Sequence, residues 1–264
     1  MNKANLFFVA LIFCVVARVG ATTLDDAFAR AEAVQRQLQL LEDQAAIERL
    51  QRAYGYFVDK SMWEEVAKLF TADGTLEIGG RGVFVGPERV LQYMHFLSKD
   101  GPQPGTLSNH LQLQPIVTVN PDGATAHGRW RFVAQVGVAP VEPGGEATIF
   151  GLAADDPRRQ QQQSNEGQAG DGVWGTGVYE NDYVKENGVW KIKKLYSYFR
   201  MYTFYSQGWG RQAQPNTRPE TVLPPDRPPT VTYDMYPSVW FVPFHYPNPV
   251  TGNAVNFVHP GQTQ

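Results

Sequence analysis

The sequence predicts an α+β protein in which N-terminal helices pack on a cone-shaped, curved antiparallel sheet that encloses one pocket. Three observations predict this fold class. Apolar residues recur three or four positions apart up to Asp59, which is helical spacing, and after His110 they alternate with period two, as in strands. Tight-turn sequences at 120–123 and 186–188 then join consecutive long strands, which makes those neighbours antiparallel.

The helical pattern covers three segments. Thr23 with acids after it is a good helix start, and the periodic stretch up to Asp59 fits two helices or one bent helix. A short helix is expected over 63–70 and a third over 87–97, since Pro87 suits a first helical turn. Residues 22–40 carry only a narrow apolar stripe, so we expect a helical extension that lies on the surface or packs on another subunit.

The strand pattern covers the second half of the main domain, which we place at 41–205. The long strands are expected at 111–120, 124–138, 173–185 and 189–204, with short strands near Leu76 and Val83. Residues 140–172 are rich in Pro, Gly, Asp and Gln, which predicts a mobile loop. Residues 206–264 are rich in proline and aromatics, which predicts an extended C-terminal segment that wraps the domain or a neighbouring subunit.

The N-terminus predicts export. Lys3 precedes an apolar run from Leu6 to Val16 that is too short to anchor in a bilayer, and small residues lead up to Ala21. We expect residues 1–21 to be a signal peptide cleaved after Ala21, leaving a periplasmic or secreted chain without membrane attachment; the alternative is an uncleaved anchor. Cleavage would remove Cys14, the only cysteine, and with it any disulfide or thiolate site.

Composition and missing motifs exclude several function classes. The net charge is −3 and no basic stripe is present, so a nucleic-acid partner is not expected. The sequence contains no P-loop, no dinucleotide-binding glycine fingerprint, no His-Glu-x-x-His and no Gly-x-Ser-x-Gly. We therefore expect neither a cofactor nor a metal, and the partner is expected to be a small hydrophobic or aromatic molecule.

Several polar side chains stand at the ends or on the faces of predicted elements. Asp59 ends the long helix, His110 precedes a long strand and His127 lies within the next strand. Each has a simpler interpretation. Asp59 is then a helix cap or a solvated acid, His110 a surface-loop histidine and His127 an outward-facing strand residue. Tyr179 and Asn181 share one strand face, where they are pocket hydrogen-bond donors or ordinary sheet residues.

Five segments follow one another in an informative order. They are Leu-Glu-Asp-Gln-Ala-Ala-Ile-Glu-Arg-Leu at 41–50, Tyr-Gly-Tyr-Phe-Val-Asp at 54–59, the 63–70 helix with Ala-Asp-Gly at 72–74, Ser-Asn-His at 108–110 and Asn-Gly-Val-Trp-Lys-Ile at 187–192. This order resembles the SnoaL-like branch of the NTF2-like superfamily over about 41–204. The resemblance implies an NTF2-like α+β barrel with its pocket between the helices and the sheet.

Within that superfamily the pattern is similar to scytalone dehydratase. There, an Asp-x-x-x-Trp at a helix end supplies an acid that orients a histidine. Asp59 and Trp63 repeat the spacing, His110 lies where the first catalytic histidine is expected, and His127 falls near the second. The resemblance thus implies a cofactor-independent lyase in which His110 moves a proton and Asp59 orients it.

A tyrosine hydroxyl is also expected in the site, where it would donate a hydrogen bond to a developing oxyanion. The candidates are Tyr54, Tyr56 and Tyr179. We expect a catalytic set of Asp59, His110, His127 and Tyr54, and a substrate-binding set of Tyr56, Trp63, Asn109, Tyr179 and Asn181.

The later strand departs from the family pattern, since Gly177 and Tyr179 stand where Ser and Asn are expected. The reaction therefore stays open between loss of water and loss of formaldehyde, as in NTF2-like lyases that act on lignin-derived aromatic dimers. A ketosteroid-type isomerase, which wants an acid on the sheet, and a non-catalytic binding module are the alternatives.

Apolar residues occupy both strand faces around Trp130, Phe132, Tyr196 and Tyr198. NTF2-like domains commonly bury the outer face of the sheet between subunits. The expected assembly is therefore a homodimer or homotrimer.

Overall fold

A computed structural model of the chain describes residues 3–98, 101, 106–138, 172–210 and 221–255. Within these ranges, the side chains of residues 3–22, 106 and 138 lie outside the description, as do the side chains of the expected signal peptide. The expected loop at 140–172 also falls outside it, except for Gly172. The chain divides into two compact units, residues 1–45 and 46–264.

The first unit is part of one long helix. Helix α1 runs from Lys3 to Asp59 without interruption, where the sequence left open two helices or one bent helix. The expected helical extension at 22–40 is part of α1. Several of its apolar side chains are exposed, among them Leu24, Phe28 and Val34. In the part of the chain that the structure describes, no helix is long and apolar enough to cross a membrane.

The second unit begins with the last turns of α1 and contains the sheet. Its further elements are α2 (Trp63–Lys68), β1 (Phe70–Ile78), β2 (Val83–Val85), α3 (Pro87–Leu97), β3 (Thr106–Val119), β4 (Thr125–Val138), β5 (Val173–Glu186) and β6 (Val189–Phe204). The structure confirms the four long strands and α3 that the sequence predicts, but β3 begins five residues earlier than expected, so His110 lies within the strand and not in a loop before it. The turn between β5 and β6 places Asn187 and Gly188 at φ 50° and 80°, backbone angles that Asn and Gly tolerate best.

The six strands form one open, mixed sheet in the order β2-β1-β6-β5-β4-β3. Strands β3 to β6 form the antiparallel meander that the turns predict. The expectation of a wholly antiparallel sheet is corrected at one place, because β1 runs parallel to β6, with Leu76 opposite Leu195. Turn sequences constrain only strands that follow one another, whereas β1 and β6 are joined through α3 and the whole meander.

The two faces of the sheet have different partners. The inner face carries Trp130, Phe132 and Tyr179 and packs on Ile47 and Tyr54 of α1 and on the two short helices. The outer face carries Tyr196 and Tyr198. These two rings pack against Tyr233, Met235 and Val242, which belong to the C-terminal segment 221–255.

The C-terminal segment is fixed to the outer face by buried polar contacts as well as by aromatic packing. Glu77 of β1 is 2% exposed and accepts hydrogen bonds from the backbone amide and hydroxyl of Thr230, at 2.9 and 2.6 Å. Asp226 accepts from the backbone amide of Val85 and from Nε of Arg89, both at 2.8 Å. The described part of the expected extension therefore lies along its own domain.

Candidate active site

The end of α1 and the start of β3 meet at Asp59 and His110. One carboxylate oxygen of Asp59 accepts the backbone N–H of His110 at 2.7 Å and lies 3.0 Å from Nδ1 of the same residue. The side chains are 13% and 19% exposed, so the pair is largely shielded from water. A carboxylate at a helix C-terminus is unfavourable by itself, and these two hydrogen bonds supply the compensation.

The contact with Asp59 fixes which nitrogen of His110 is basic. An ionised carboxylate can only accept hydrogen bonds, so the shared proton sits on Nδ1 of the imidazole. The neutral ring then carries its lone pair on Nε2, and that nitrogen can take a proton from a substrate. Ser108, whose Oγ is 3.4 Å from the same Nδ1, is a weaker neighbour on the same strand face.

The close approach of α1 to β3 depends on Gly55. A Cβ atom at this position would stand 2.9 Å from Cγ of Gln112 and 3.2 Å from the carbonyl oxygen of His110. Any side chain there would push the helix away from the strand. Gly55 thus lets the Asp59 carboxylate reach the His110 amide across two elements.

Two buried phenols lie beside the pair. Tyr54 and Tyr179 are 2% and 4% exposed, and their rings meet edge to face with centroids 6.1 Å apart. Burial raises the pKa of Tyr179 to about 12, and the charge of Asp59 adds to the rise. Burial also raises the pKa of Tyr54, helped by interactions with Tyr179. Both phenols therefore stay protonated at neutral pH and can donate a hydrogen bond to an oxyanion.

A buried hydrogen-bond network of side chains joins α1 to β3 and β5 beside the site. Gln51 of α1 donates to Oε1 of Gln112 and accepts from the side chains of Asn181 and Tyr183, all at 2.9 Å. Asn181 also accepts the backbone N–H of Tyr196 at 3.0 Å, so both ends of its amide are engaged. Asn181 thus joins α1, β5 and β6 through hydrogen bonds, and its contact with substrate stays a prediction.

The structure does not bring all the expected residues together. His127 lies on the outer face, where Nδ1 is 2.7 Å from Asp182, and Asn109 also faces outward, donating to Gln135 at 2.9 Å. Tyr56 is 72% exposed on the other side of α1. These placements correct the expectation that the three residues join His110, because alternation along a strand and rotation along a helix direct them elsewhere.

Trp63 is buried and its indole N–H donates to the carbonyl oxygen of Ser98 at 3.0 Å. The contact ties the start of α2 to the end of α3. A role in substrate binding stays a prediction for Trp63, whereas its part in packing is visible.

Sequence reasoning missed Gln51 and Gln112. Gln51 is fully buried on the stripe of α1 that also carries Ile47 and Tyr54, so a polar residue within an apolar stripe was the available signal. Gln112 follows His110 by two positions and therefore shares its strand face. Among the described residues, no group of three or more His, Cys, Asp or Glu side chains could hold a metal ion.

Comparison with known proteins gives a family and several similar folds. The family described as SnoaL-like domain matches residues 39–196. A type 2 hexachlorocyclohexane dehydrochlorinase, LinA, is 20% identical over 68% of this chain and 97% of its own, with a TM-score of 0.47. The LinA type 3 enzyme of Novosphingobium barchaimii is 18% identical over 68% and 99%, also with a TM-score of 0.47.

A proposed scytalone dehydratase from Novosphingobium aromaticivorans is 20% identical over 69% of this chain and 98% of its own, with a TM-score of 0.46.

Proposed function

The chain belongs to the SnoaL-like domain family, and on this premise we propose that it is a cofactor-independent lyase whose acid–base group is His110, oriented by Asp59. The observation that carries the proposal is the 3.0 Å contact between the Asp59 carboxylate and Nδ1 of His110. A carboxylate in this position holds the imidazole in one orientation and stabilises the imidazolium that forms when Nε2 takes a proton. Tyr179 on the inner face of the sheet and Tyr54 on α1, which packs against it, supply neutral donors.

Two eliminations fit these groups. In a dehydration, Nε2 of His110 takes a proton from the carbon next to a carbinol, the C–O bond breaks and water leaves with a second proton. In a loss of formaldehyde, Nε2 takes the hydroxyl proton of a hydroxymethyl group, the C–C bond breaks, formaldehyde leaves, and the carbon that keeps the electron pair takes up a proton. Negative charge develops on the hydroxymethyl oxygen in this reaction and on the oxygen of a conjugated carbonyl in a dehydration, and the buried tyrosines can stabilise either oxygen.

The proposed substrate is a bulky aromatic alcohol, with lignin-derived aromatics as the first class to test. The support is the aromatic character of the inner face beside the pair. The rings of Phe132 and Tyr179 lie with centroids 4.9 Å apart, and Tyr54 closes on Tyr179 from the helix side. Aromatic side chains favour offset or edge contacts with an aromatic ligand and exclude water from the reacting groups.

An isomerase of the ketosteroid type receives less support. That chemistry wants a carboxylate on the inner face of the sheet as its base. Of the five acids on the described strands, Glu77, Glu180 and Asp182 are engaged on the outer face, with Thr230, Arg129 and His127 respectively. The other two, Asp73 and Glu186, are at least partly exposed and pair with Lys193 and Lys191. Asp59 is on α1 and is already bound to His110.

The test is a mass-spectrometric screen of aromatic alcohols for products lighter by water or by formaldehyde. The proposal predicts one such product with the unaltered chain, and a loss of about 100-fold or more in rate with His110→Ala. His127→Ala is the matched control, since His127 also contacts a carboxylate but on the outer face. Ligand binding without any product, or full activity of His110→Ala, would show that the chain is a binding module or uses other residues.

We also propose that the protein acts outside the cytoplasm. The support is the sequence pattern of residues 1–21. Intact-mass measurement of the exported chain should give a mass that lacks these residues. A mass that retains them would contradict cleavage after Ala21.

A further inference from the structure

A cavity lies on the outer face of the sheet, on the opposite side from Asp59 and His110. Its volume is about 510 Å³, and it is open on one side and lies between strands β3 to β6 and residues 240–246 of the C-terminal segment. This volume is within the range of small-molecule sites in proteins, roughly 300–1,000 Å³. The residues that line it are separate from those that form the proposed acid–base site.

The floor and the roof of the cavity are aromatic. Tyr198 of β6, Trp240 and Tyr233 pack together, with ring centroids 5.4 Å apart for Tyr198 and Trp240, 4.4 Å for Tyr233 and Trp240, and 5.6 Å for Tyr198 and Tyr233. The ring of Phe244 lies over the Arg129 guanidinium at 4.5 Å. These stacked contacts hold the walls in place, so the cavity offers flat apolar surfaces suited to an aromatic ring.

The cavity is also positively charged. Arg129, Arg131 and Arg200 line it, and no acidic side chain does so among the described residues. Arg129 is neutralised by Glu180 at 2.5 Å and also donates to the carbonyl oxygen of Val242 at 2.9 Å. The surplus charge of the cavity therefore comes from Arg131 and Arg200.

The guanidinium of Arg200 contains a nitrogen without a hydrogen-bond acceptor among the described residues. Its Nη1 nitrogen is buried and has no hydrogen-bond partner among the described residues, and its guanidinium lies over the ring of Tyr236 at 5.8 Å. A buried donor without a partner is costly and is uncommon in folded proteins. Arg131, by contrast, is exposed and lines the cavity.

We propose that this cavity binds a small aromatic carboxylate, whose ring packs against Tyr198 and Trp240 and whose carboxylate is taken by Arg131 and Arg200. Guanidinium groups bind carboxylates with paired, charge-assisted hydrogen bonds, which gives a preference for an acid over its neutral amide. Because one wall is the C-terminal segment, an occupied cavity also stabilises that segment on the sheet.

The test is calorimetric titration of the full chain with 2-naphthoate and with the neutral 2-naphthamide. The proposal predicts that naphthoate binds about tenfold tighter or more than naphthamide, and that Arg131→Gln or Arg200→Gln removes most of this difference. Arg131 is exposed, so its replacement tests the proposal even if Arg200→Gln impairs folding. Lys68→Gln, which removes an exposed positive charge on α2, should leave binding unchanged.

His110→Ala separates the two sites, since the outer-face cavity should bind naphthoate equally well without the proposed acid–base histidine. Several results would overturn the proposal: no binding of naphthoate, equal affinity for acid and amide, unchanged affinity after Arg131→Gln, or loss of binding after His110→Ala.

Discussion

Asp59 is bound twice by one residue, through the backbone amide of His110 and through its ring. This double contact fixes the strand and the imidazole together, so the ring orientation does not depend on one flexible side-chain torsion. The same carboxylate contributes to the raised pKa of Tyr179. The Asp59 carboxylate therefore acts both on His110, the proposed base, and on Tyr179, the proposed oxyanion donor.

The raised pKa of Tyr179 makes a prediction about stability in alkali. Its value rises from 10.0 to about 12, so the folded chain keeps a proton that the unfolded chain loses. This contribution is fully present below pH 10 and is lost as the pH rises toward 12. Replacing Tyr179 with Phe should reduce the loss of unfolding free energy between pH 8 and pH 11 by about 1 kcal/mol.

Urea unfolding at the two pH values measures this difference. Tyr56→Phe is the matched control, because its ring is exposed in the folded chain. An identical loss of stability in the Tyr179→Phe and unaltered chains would contradict the assignment of Tyr179 as a buried, protonated phenol.

At this scale the sequence predicted the pair but not all its neighbours. The helix end at Asp59 could be read from periodicity, and the family resemblance singled out His110, which lies within β3 and not before it as expected. The orientation of Asn109 and His127 depends on the exact strand register, since a shift of one residue reverses the face. The role of Gln51 and Gln112 depends on contacts between distant segments, which periodicity does not encode.

The packing of α1 on β3 and an irregularity within β3 shape the site at the scale of elements. The pairing of β3 with β4 shifts between Leu113 and Ile116, and Gln114 has φ 50°. After this bulge both Leu113 and Ile116 point to the outer face, which strict alternation does not predict. Pro115 was the available signal, because proline within a sheet occurs mainly at edges and bulges.

Gly55→Ala tests the close packing of these two elements. Alanine favours a helix by about 1 kcal/mol over glycine. Here we expect the opposite sign, a loss of about 1–3 kcal/mol, because the new Cβ would collide with Gln112 and the His110 carbonyl. Urea unfolding of the variant shows directly whether the free energy of unfolding rises or falls.

Gln112→Ala provides the matched background, since it removes the Cγ atom that the new methyl group meets. The cost of Gly55→Ala should be smaller in that background. A stabilising effect of Gly55→Ala in the unaltered chain would show that α1 does not approach β3 as closely as described.

For the whole molecule, the outer face is divided between a covered and an uncovered part. The C-terminal segment covers Tyr196 and Tyr198, whereas the edge strand β3 exposes a row of apolar side chains. These are Leu107, Leu111, Leu113 and Ile116, with 38–56% of each exposed. An exposed apolar row on an edge strand is typical of an interaction surface.

The row supports the proposal that the chain forms a homodimer or homotrimer. Light scattering should give two or three times the mass of one chain, and Leu111→Lys should shift the population toward the monomer by placing a charge in the row. Val189→Lys is the matched control, an exposed apolar residue at the start of β6. A monomer in the unaltered chain, or equal effects of the two variants, would contradict the proposal.

Composition predicted that the C-terminal segment is too aromatic to be disordered, but not which surface it covers. Its position follows from long-range contacts such as the one between Glu77 and Thr230, separated by 153 residues. The parallel pairing of β1 with β6 escaped prediction for the same reason. Local patterns specify elements and turns, whereas contacts of this range are specified by the packing of the complete core.

The measurement that tests the central claim most directly is a double-variant cycle on Asp59 and His110, with kcat/KM determined for the elimination found in the screen. If the two residues act as one acid–base unit, Asp59→Asn and His110→Ala each lower kcat/KM by about 100-fold or more, and the double variant is no slower than the slower single variant. Losses that multiply in the double variant, or a single variant that keeps the full rate, would contradict the claim.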